Sequence, residues 1–202
     1  MILETIRVGP MQVNCYVIAC AKEKEAIVID PGADARAIKA VLNKYKLRPA
    51  MVINTHGHYD HIGCDDEFGV SVYAHKQDLA MLKDAGLNFS ASFSLPHTVK
   101  SEIITLEDKQ VIKLDCLELE IIHLPGHTPG GIALLMRRPQ TGILFTGDTL
   151  FCQGVGRTDL PGGSQSQLEK SIRERLFVLP DETKVYPGHG TTTTIGKEKN
   201  SN

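Results

Sequence analysis

The stretch VINTHGHYDHIGCDD, residues 52–66, carries three histidines and an aspartate within six positions, directly after an apolar run. His56 and His58 are two residues apart, so an extended backbone turns both side chains to the same side and makes them a natural pair for one metal ion. Asp60 and His61 are adjacent, and unless the chain turns sharply their side chains project in different directions. The spacing therefore predicts a second ion.

Three further candidate ligands follow apolar runs in glycine-marked turns: His127 in HLPGHTPGG, Asp148 in LFTGDTLF and His189 in VYPGHG. Glycine lets the backbone approach a site closely, and loops at strand ends commonly carry function. If Asp148 bridges two ions, each ion receives four protein ligands. These are His56, His58, His127 and Asp148 for the first ion, and Asp60, His61, His189 and Asp148 for the second.

Other residues of the same types have alternative interpretations. Asp30, at the end of EAIVID, is predicted either to brace a metal-binding histidine through a hydrogen bond or only to form a turn. The remaining histidines are predicted to be structural: His75, His97 and His123.

The elements that must position these residues are short strands and a few helices. The first thirty residues predict an antiparallel meander, and the later apolar runs predict strands over 50–54, 70–74, 115–124, 131–136, 142–148 and 184–190. Helices are predicted over 34–46, 76–86 and 164–179, with an irregular loop over 88–100 and a polar tail after Ile195. This order favours an α/β (α+β) fold in which two packed sheets are covered by helices.

Composition restricts the class of protein. The 202 residues, 42% of them apolar and 23% charged, predict one domain over residues 1–202. A net charge of −2 argues against nucleic acid or an anionic membrane as a partner. No leader or membrane span is visible, which predicts a cytoplasmic protein. Five scattered cysteines predict reduced thiols, with Cys64 and Cys152 in the core.

The segments T-H-G-H-Y-D-H, P-G-H-T-P-G, F-T-G-D-T-L-F and P-G-H-G together resemble the metallo-β-lactamase superfamily along nearly the whole chain. The resemblance implies a four-layer αββα sandwich with a two-metal site along one edge of the sheets, and it supports the seven ligands above. GDTLFCQGVGRTDLPGG and the ending PGHGTTTTIGKEKNSN resemble the short glyoxalase II-like hydrolases. That narrower resemblance implies hydrolysis of S-lactoylglutathione or a related small-molecule thioester, with two divalent ions, zinc first and iron or manganese as alternatives.

The sequence departs from full-length glyoxalase II in two respects. It ends about a dozen residues after His189, where that family continues into a helical domain that binds glutathione. Arg157 and Asp159 stand where that family has a lysine and a tyrosine. Glutathione recognition is thus left open, and Arg157 is predicted to bind a substrate carboxylate.

In the implied mechanism, two ions about 3.5–4 Å apart lower the pKa of a bridging water to supply hydroxide, which Asp60 orients. Persulfide dioxygenases are the alternative from another class, because they share HxHxDH and G-R-T-D. They hold one iron, here through His56, His127 and Asp148. P-G-H-G favours the hydrolase, whose substrate could also be another ester or a lactone. The thiol carrier and the oligomeric state are left open.

Overall fold

The computed structural model describes residues 1–201, so Asn202, the last residue of the predicted domain, lies outside it. Its first sheet has six strands in the order β1-β2-β3-β4-β5-β6. They are β1 (Ile2–Val8), β2 (Val13–Ala19), β3 (Glu25–Ile29), β4 (Arg48–Ile53), β5 (Val72–His75) and β6 (Ile103–Leu106). The predicted antiparallel meander is confirmed for β1 to β3, and the pairings from β3 to β6 are parallel.

The second sheet also has six strands, in the order β14-β13-β10-β9-β8-β7. They are β7 (Val111–Leu114), β8 (Leu117–His123), β9 (Ile132–Arg138), β10 (Ile143–Gly147), β13 (Lys184–Pro187) and β14 (Thr193–Thr194). A separate small hairpin is formed by β11 (Leu150–Phe151) and β12 (Gly154–Val155). Only β10 and β13 pair in parallel here, so both sheets are mixed.

Five α-helices accompany the sheets: α1 (Ala35–Lys44), α2 (Tyr59–Ile62), α3 (Leu79–Lys83), α4 (Gln165–Ser171) and α5 (Ile195–Lys199). Helix α4 continues as a π-helix over Ile172–Leu176, and 3-10 turns cover Asp65–Phe68, Lys76–Asp78 and Ser90–Phe93. No helix within residues 1–201 is long and apolar enough to cross a membrane.

Two segments differ from their prediction: one predicted helix is shorter, and the polar tail is helical. The predicted helix 76–86 is shorter because the Asp84 carboxylate accepts hydrogen bonds from the backbone N–H groups of Gly86 and Leu87, at 2.8 and 3.1 Å. Such a local turn competes with helix continuation. The polar tail forms α5, because the Thr194 hydroxyl caps its first turn by accepting from the N–H of Lys197.

Three apolar clusters separate four layers. Along β2, Val17 faces the cluster under α1, whereas Tyr16 and Ile18 face the cluster between the sheets. This alternation follows from the two-residue period of a strand. Along β9, Leu134 lies between the sheets and Leu135 lies under α4. The predicted αββα sandwich of two mixed sheets is thereby confirmed, with β2 buried on both faces.

The cysteines depart from the prediction. Cys20 and Cys116 form a disulfide, so the expectation of reduced thiols is wrong for this pair. The two residues are 96 positions apart, and only the packing of the two sheets brings their Cα atoms to 5.7 Å. Cys64 is half-buried beside the cluster under α1. Cys152 is exposed, so its predicted place in the core is also wrong.

Candidate metal centre

Strand ends from both sheets deliver the predicted ligands to one edge of the sandwich. In the first sheet, β4 leads into His56 and His58. In the second, β10 leads into Asp148 and β13 into His189, while His127 lies in the loop between β8 and β9. Because β10 and β13 are parallel neighbours, the residues that follow them emerge side by side.

His56, His58 and His127 form the first group of donors. The Nδ1 atom of His58 lies 2.9 Å from Nε2 of His127, and the ring centroid of His56 lies 4.9 and 4.8 Å from those of the other two. The three donor atoms all lie within 4.8 Å of one another. As the spacing predicted, His56 and His58 turn to the same side.

Asp60, His61 and His189 form the second group. Oδ2 of Asp60 lies 3.8 Å from Nε2 of His61 and 3.3 Å from Nε2 of His189. The sharp turn that the adjacent Asp60 and His61 require is supplied by α2, which begins directly after the extended residue His58. The helical turn therefore brings two neighbouring side chains to one position.

Asp148 lies between the two groups. Its Oδ1 is 3.4 Å from Nε2 of His61, and its Oδ2 is 3.8 Å from Nε2 of His127 and 3.5 Å from Nε2 of His189. A single carboxylate thus faces donors of both groups. This is the placement that a bridging ligand needs.

Three of the histidines are oriented by contacts of their other ring nitrogen. Nδ1 of His61 lies 3.0 Å from Oδ2 of Asp30, which is where the sequence predicted a bracing carboxylate. Nδ1 of His127 lies 2.7 Å from the Arg157 carbonyl oxygen, and Nδ1 of His189 lies 3.0 Å from that of Met11. These contacts orient the three rings so that Nε2 of each one faces the centre.

Several donor atoms that face into the centre have no hydrogen-bond partner within residues 1–201. Nε2 of His56, Nε2 of His61 and Oδ1 of Asp148 are buried without a hydrogen-bond partner among the described residues. Buried polar atoms in this state are costly unless something compensates them. A set of imidazole and carboxylate donors that converge in this way fits a divalent cation.

The protonation states of His56, His58, Asp60 and Asp148 also suit metal binding. Burial lowers the pKa of His58 to about 3 and that of His56 well below its ordinary value. Burial acts to raise the pKa of Asp60 and Asp148, but His61 and the other histidines around them hold both below the usual range. Neutral imidazoles and ionised carboxylates are the forms that bind cations.

His61 behaves differently because three carboxylates surround it. Burial acts to lower its pKa, yet Asp148, Asp60 and Asp30 together raise it well above the ordinary value. A cation that binds Nε2 of His61 must therefore displace a proton.

Two buried polar side chains behind the ligands make contacts that were not predicted. The Asp78 carboxylate accepts hydrogen bonds from the N–H of Gly57 (3.0 Å), the Thr128 hydroxyl (2.7 Å) and the N–H of Gly130 (2.6 Å). It thereby ties the His56–His58 loop to the His127 loop. The Tyr16 hydroxyl donates to the Pro187 carbonyl oxygen at 2.6 Å, just before His189. A lone aspartate and a strand tyrosine gave no sequence signal for these roles.

Glycine is required where the backbone passes the ligands. A Cβ atom on Gly188 would lie 2.1 Å from Oδ1 of Asp148 and 2.8 Å from Cε1 of His61. The P-G-H-G turn therefore tolerates no side chain before its histidine.

The histidines predicted to be structural stay apart from the centre. His75 and His123 stack on each other with ring centroids 3.9 Å apart, and His97 lies against Tyr59. No group of potential metal ligands within residues 1–201 includes any of the three.

A cleft of about 260 Å³ opens over the centre. Its apolar wall includes Phe89, Phe93 and Leu160, and Arg157 lies at its rim. The Arg157 guanidinium makes a two-point ion pair with Asp159, at 2.7 and 2.6 Å. Both side chains are largely exposed, so solvent weakens this pair.

Comparison with known proteins agrees with this geometry. The metallo-beta-lactamase superfamily profile matches residues 8–189. Hydroxyacylglutathione hydrolase GloC of Haemophilus influenzae is 36% identical over 208 residues, which cover 100% of this chain and 97% of that protein.

Two crystal structures are also similar. BLEG-1 B3 metallo-beta-lactamase has a TM-score of 0.90 at 36% identity, covering 98% of this chain and 97% of its own. TTHA1623 in a di-iron-bound form has a TM-score of 0.83 at 32% identity, covering 98% of each chain. This chain therefore belongs to the metallo-β-lactamase superfamily.

Proposed function

We propose that this protein hydrolyses small-molecule thioesters with the help of two divalent cations. The observation that carries the proposal is the position of the Asp148 carboxylate between two groups of three donors. The first cation would be held by His56, His58, His127 and Asp148, and the second by Asp60, His61, His189 and Asp148. Zinc suits these nitrogen and oxygen donors, and iron or manganese would suit them too.

Cations at such a site lower the pKa of bound water towards neutrality and polarise a carbonyl oxygen. Asp60 would act as the orienting base. Its carboxylate lines the cleft, and its lowered pKa keeps it ionised at neutral pH, ready to accept a hydrogen bond from the attacking water.

A thioester is a suitable substrate for this arrangement. The water oxygen bonds to the acyl carbon, the carbon–sulfur bond breaks, and the sulfur leaves with the electron pair. Because a thiol has a pKa of about 8.5, the thiolate leaves with little help from a general acid. The products are a carboxylate, a thiol and one proton, and one water is consumed.

The similarity to the Haemophilus influenzae enzyme supports a thioester, because a hydroxyacylglutathione hydrolase cleaves one. Arg157 would release Asp159 and bind a carboxylate on the thiol carrier instead. The similarity to a B3 metallo-beta-lactamase favours β-lactams as a second candidate substrate class. We propose that the protein acts in the cytoplasm on a free small molecule and binds neither nucleic acid nor membrane.

The test is hydrolysis of S-lactoylglutathione by purified protein whose metals have been counted, beside a chelated sample and a β-lactam assay. We expect metal-dependent thioester turnover with about two ions per chain, and loss of that turnover in Asp148→Ala. Val178→Ala serves as the control variant, since Val178 is 70% exposed and does not line the cleft. Hydrolysis of the β-lactam alone, or a single iron with oxygen consumption on a persulfide, would overturn the proposal.

A further inference from the structure

A small apolar pocket lies next to the cleft over the metal centre. It has a volume of about 140 Å³. Four residues line both spaces: Met11, Tyr59, Asp60 and Phe93. The pocket therefore adjoins the part of the cleft that Asp60 lines, where the carbonyl of a substrate would lie.

The pocket walls are apolar and partly open to solvent. They are formed mainly by Val8, Met11, Val13, Ala33, Phe93 and Leu95. Phe93 is 53% exposed and Leu95 is 57% exposed, although both are large apolar side chains. Phe93 also stacks on Tyr59, with ring centroids 6.5 Å apart. A concave space with apolar walls beside a polar centre suits an apolar group of the substrate.

Charge is distributed unequally around the centre. Among the described residues that line the pocket, Asp60 is the only charged one, and it belongs to the metal centre. Arg157 lines the cleft but not the pocket. A polar thiol carrier is therefore matched to the side of the cleft with Arg157, and an uncharged group is matched to the pocket.

We infer that the pocket binds the acyl chain, so that the preferred substrates are thioesters of unbranched aliphatic acids with about six carbons. This inference rests on the proposed thioesterase function. The length follows from the volume, because 140 Å³ holds about five groups of the ~30 Å³ that a water molecule occupies. A hexanoyl group has five carbons beyond its carbonyl carbon.

The experiment measures kcat/KM for acetyl, butyryl, hexanoyl and octanoyl thioesters of N-acetylcysteamine, an uncharged thiol, with metal-loaded protein. Burying a methylene is worth about 0.8 kcal/mol, so we expect a rise of about fourfold per methylene up to hexanoyl. Octanoyl should gain nothing further. A succinyl thioester, which carries a charge at the chain end, should react more slowly than the butyryl thioester.

Variants connect the chain-length preference to this pocket. Phe93→Ala and Leu95→Ala should each lower the ratio of hexanoyl to acetyl kcat/KM by about threefold or more, and their exposure means that folding is not at risk. Val178→Ala, which removes an equally exposed apolar side chain outside the pocket, should keep the wild-type ratio.

The two proposals fail in different ways. Loss of the proposed function would appear as no metal-dependent hydrolysis of any thioester. Equal rates for acetyl and hexanoyl thioesters, or a ratio unchanged in Phe93→Ala and Leu95→Ala, would overturn the acyl-chain inference while leaving the thioesterase intact.

Discussion

Replacing Asp30 with asparagine tests whether the contact of this carboxylate with His61 strengthens metal binding at the centre. Asp30 is 1% exposed, and its Oδ2 lies 3.0 Å from Nδ1 of His61. The carboxylate also accepts hydrogen bonds from the N–H and hydroxyl of Thr55, at 2.7 and 2.6 Å. Asp30 has a left-handed backbone with φ of 51°, a conformation that asparagine also adopts readily. Asp30→Asn therefore keeps the backbone and the shape of the side chain.

The substitution changes the donor that faces His61. The amide can keep its oxygen towards the N–H of Thr55, and its NH₂ group then points at Nδ1 of His61. That arrangement favours the proton on Nε2, the nitrogen directed at Asp60 and Asp148. Loss of such a supporting contact typically lowers metal affinity 10- to 100-fold, which is about 1.4–2.7 kcal/mol.

The assay is a competition titration with a chromophoric chelator that resolves the two binding steps. We expect Asp30→Asn to weaken the second ion, held with His61, and to leave the first ion within about twofold of wild type. Asp65→Asn is the matched control. Asp65 is fully buried, burial raises its pKa well above the usual range, and its hydrogen-bond donor is Asn54 rather than a histidine. Wild-type affinity for both ions in Asp30→Asn would refute the bracing role.

Four further predictions follow from the same structure. Asp60→Ala should lower turnover by about 10²–10⁴-fold and weaken the second ion, measured by steady-state kinetics and metal counting; wild-type values for both would contradict its role. Gly188→Ala should lose metal because its Cβ would lie 2.1 Å from Asp148, whereas Gly154→Ala, with no atom within 4 Å, should keep its metal content. Reducing the Cys20–Cys116 disulfide should lower the free energy of unfolding by about 2–5 kcal/mol in urea titrations, and no change would show that the bridge is dispensable. Burial and the neighbouring His123 hold the pKa of His75 at about 4, so between pH 6.5 and 4 the unfolded chain binds more protons than the folded chain. The free energy of unfolding should therefore fall as the pH falls through this range. Urea unfolding at each pH should show a less steep fall in His75→Phe.

The structure brings the predicted donors together, and their signals in the sequence are local. The pair His56 and His58 depends only on strand geometry, and His127, Asp148 and His189 stand out through the glycines beside them. Of the two roles predicted for Asp30, the structure favours the contact with a histidine, because the residue follows a buried strand and lies 3.0 Å from His61. The direction of Asp60 and His61 was also left open, and the four-residue helix α2 decides it.

What the sequence did not predict depends on contacts between distant segments. Asp78 joins two loops that are far apart along the chain, since its partners are Gly57 and Thr128. No periodicity reports such a pairing. Phe93 and Leu95 lie in a segment predicted only as an irregular loop, and their place beside Asp60 depends on how that loop folds over the cleft.

The metal centre and the disulfide join the same two sheets at opposite ends of β2. At its beginning, Val13 forms a bridge with His189, and Asn14 donates to the carbonyl oxygens of Pro187 and Gly190. At its end, Cys20 is bonded to Cys116 in the turn between β7 and β8. Seven residues of strand span about 23 Å, well beyond the ~10 Å within which two perturbations usually couple. Metal binding and disulfide formation should therefore stabilise the sandwich independently, since each acts on one edge that the other does not reach.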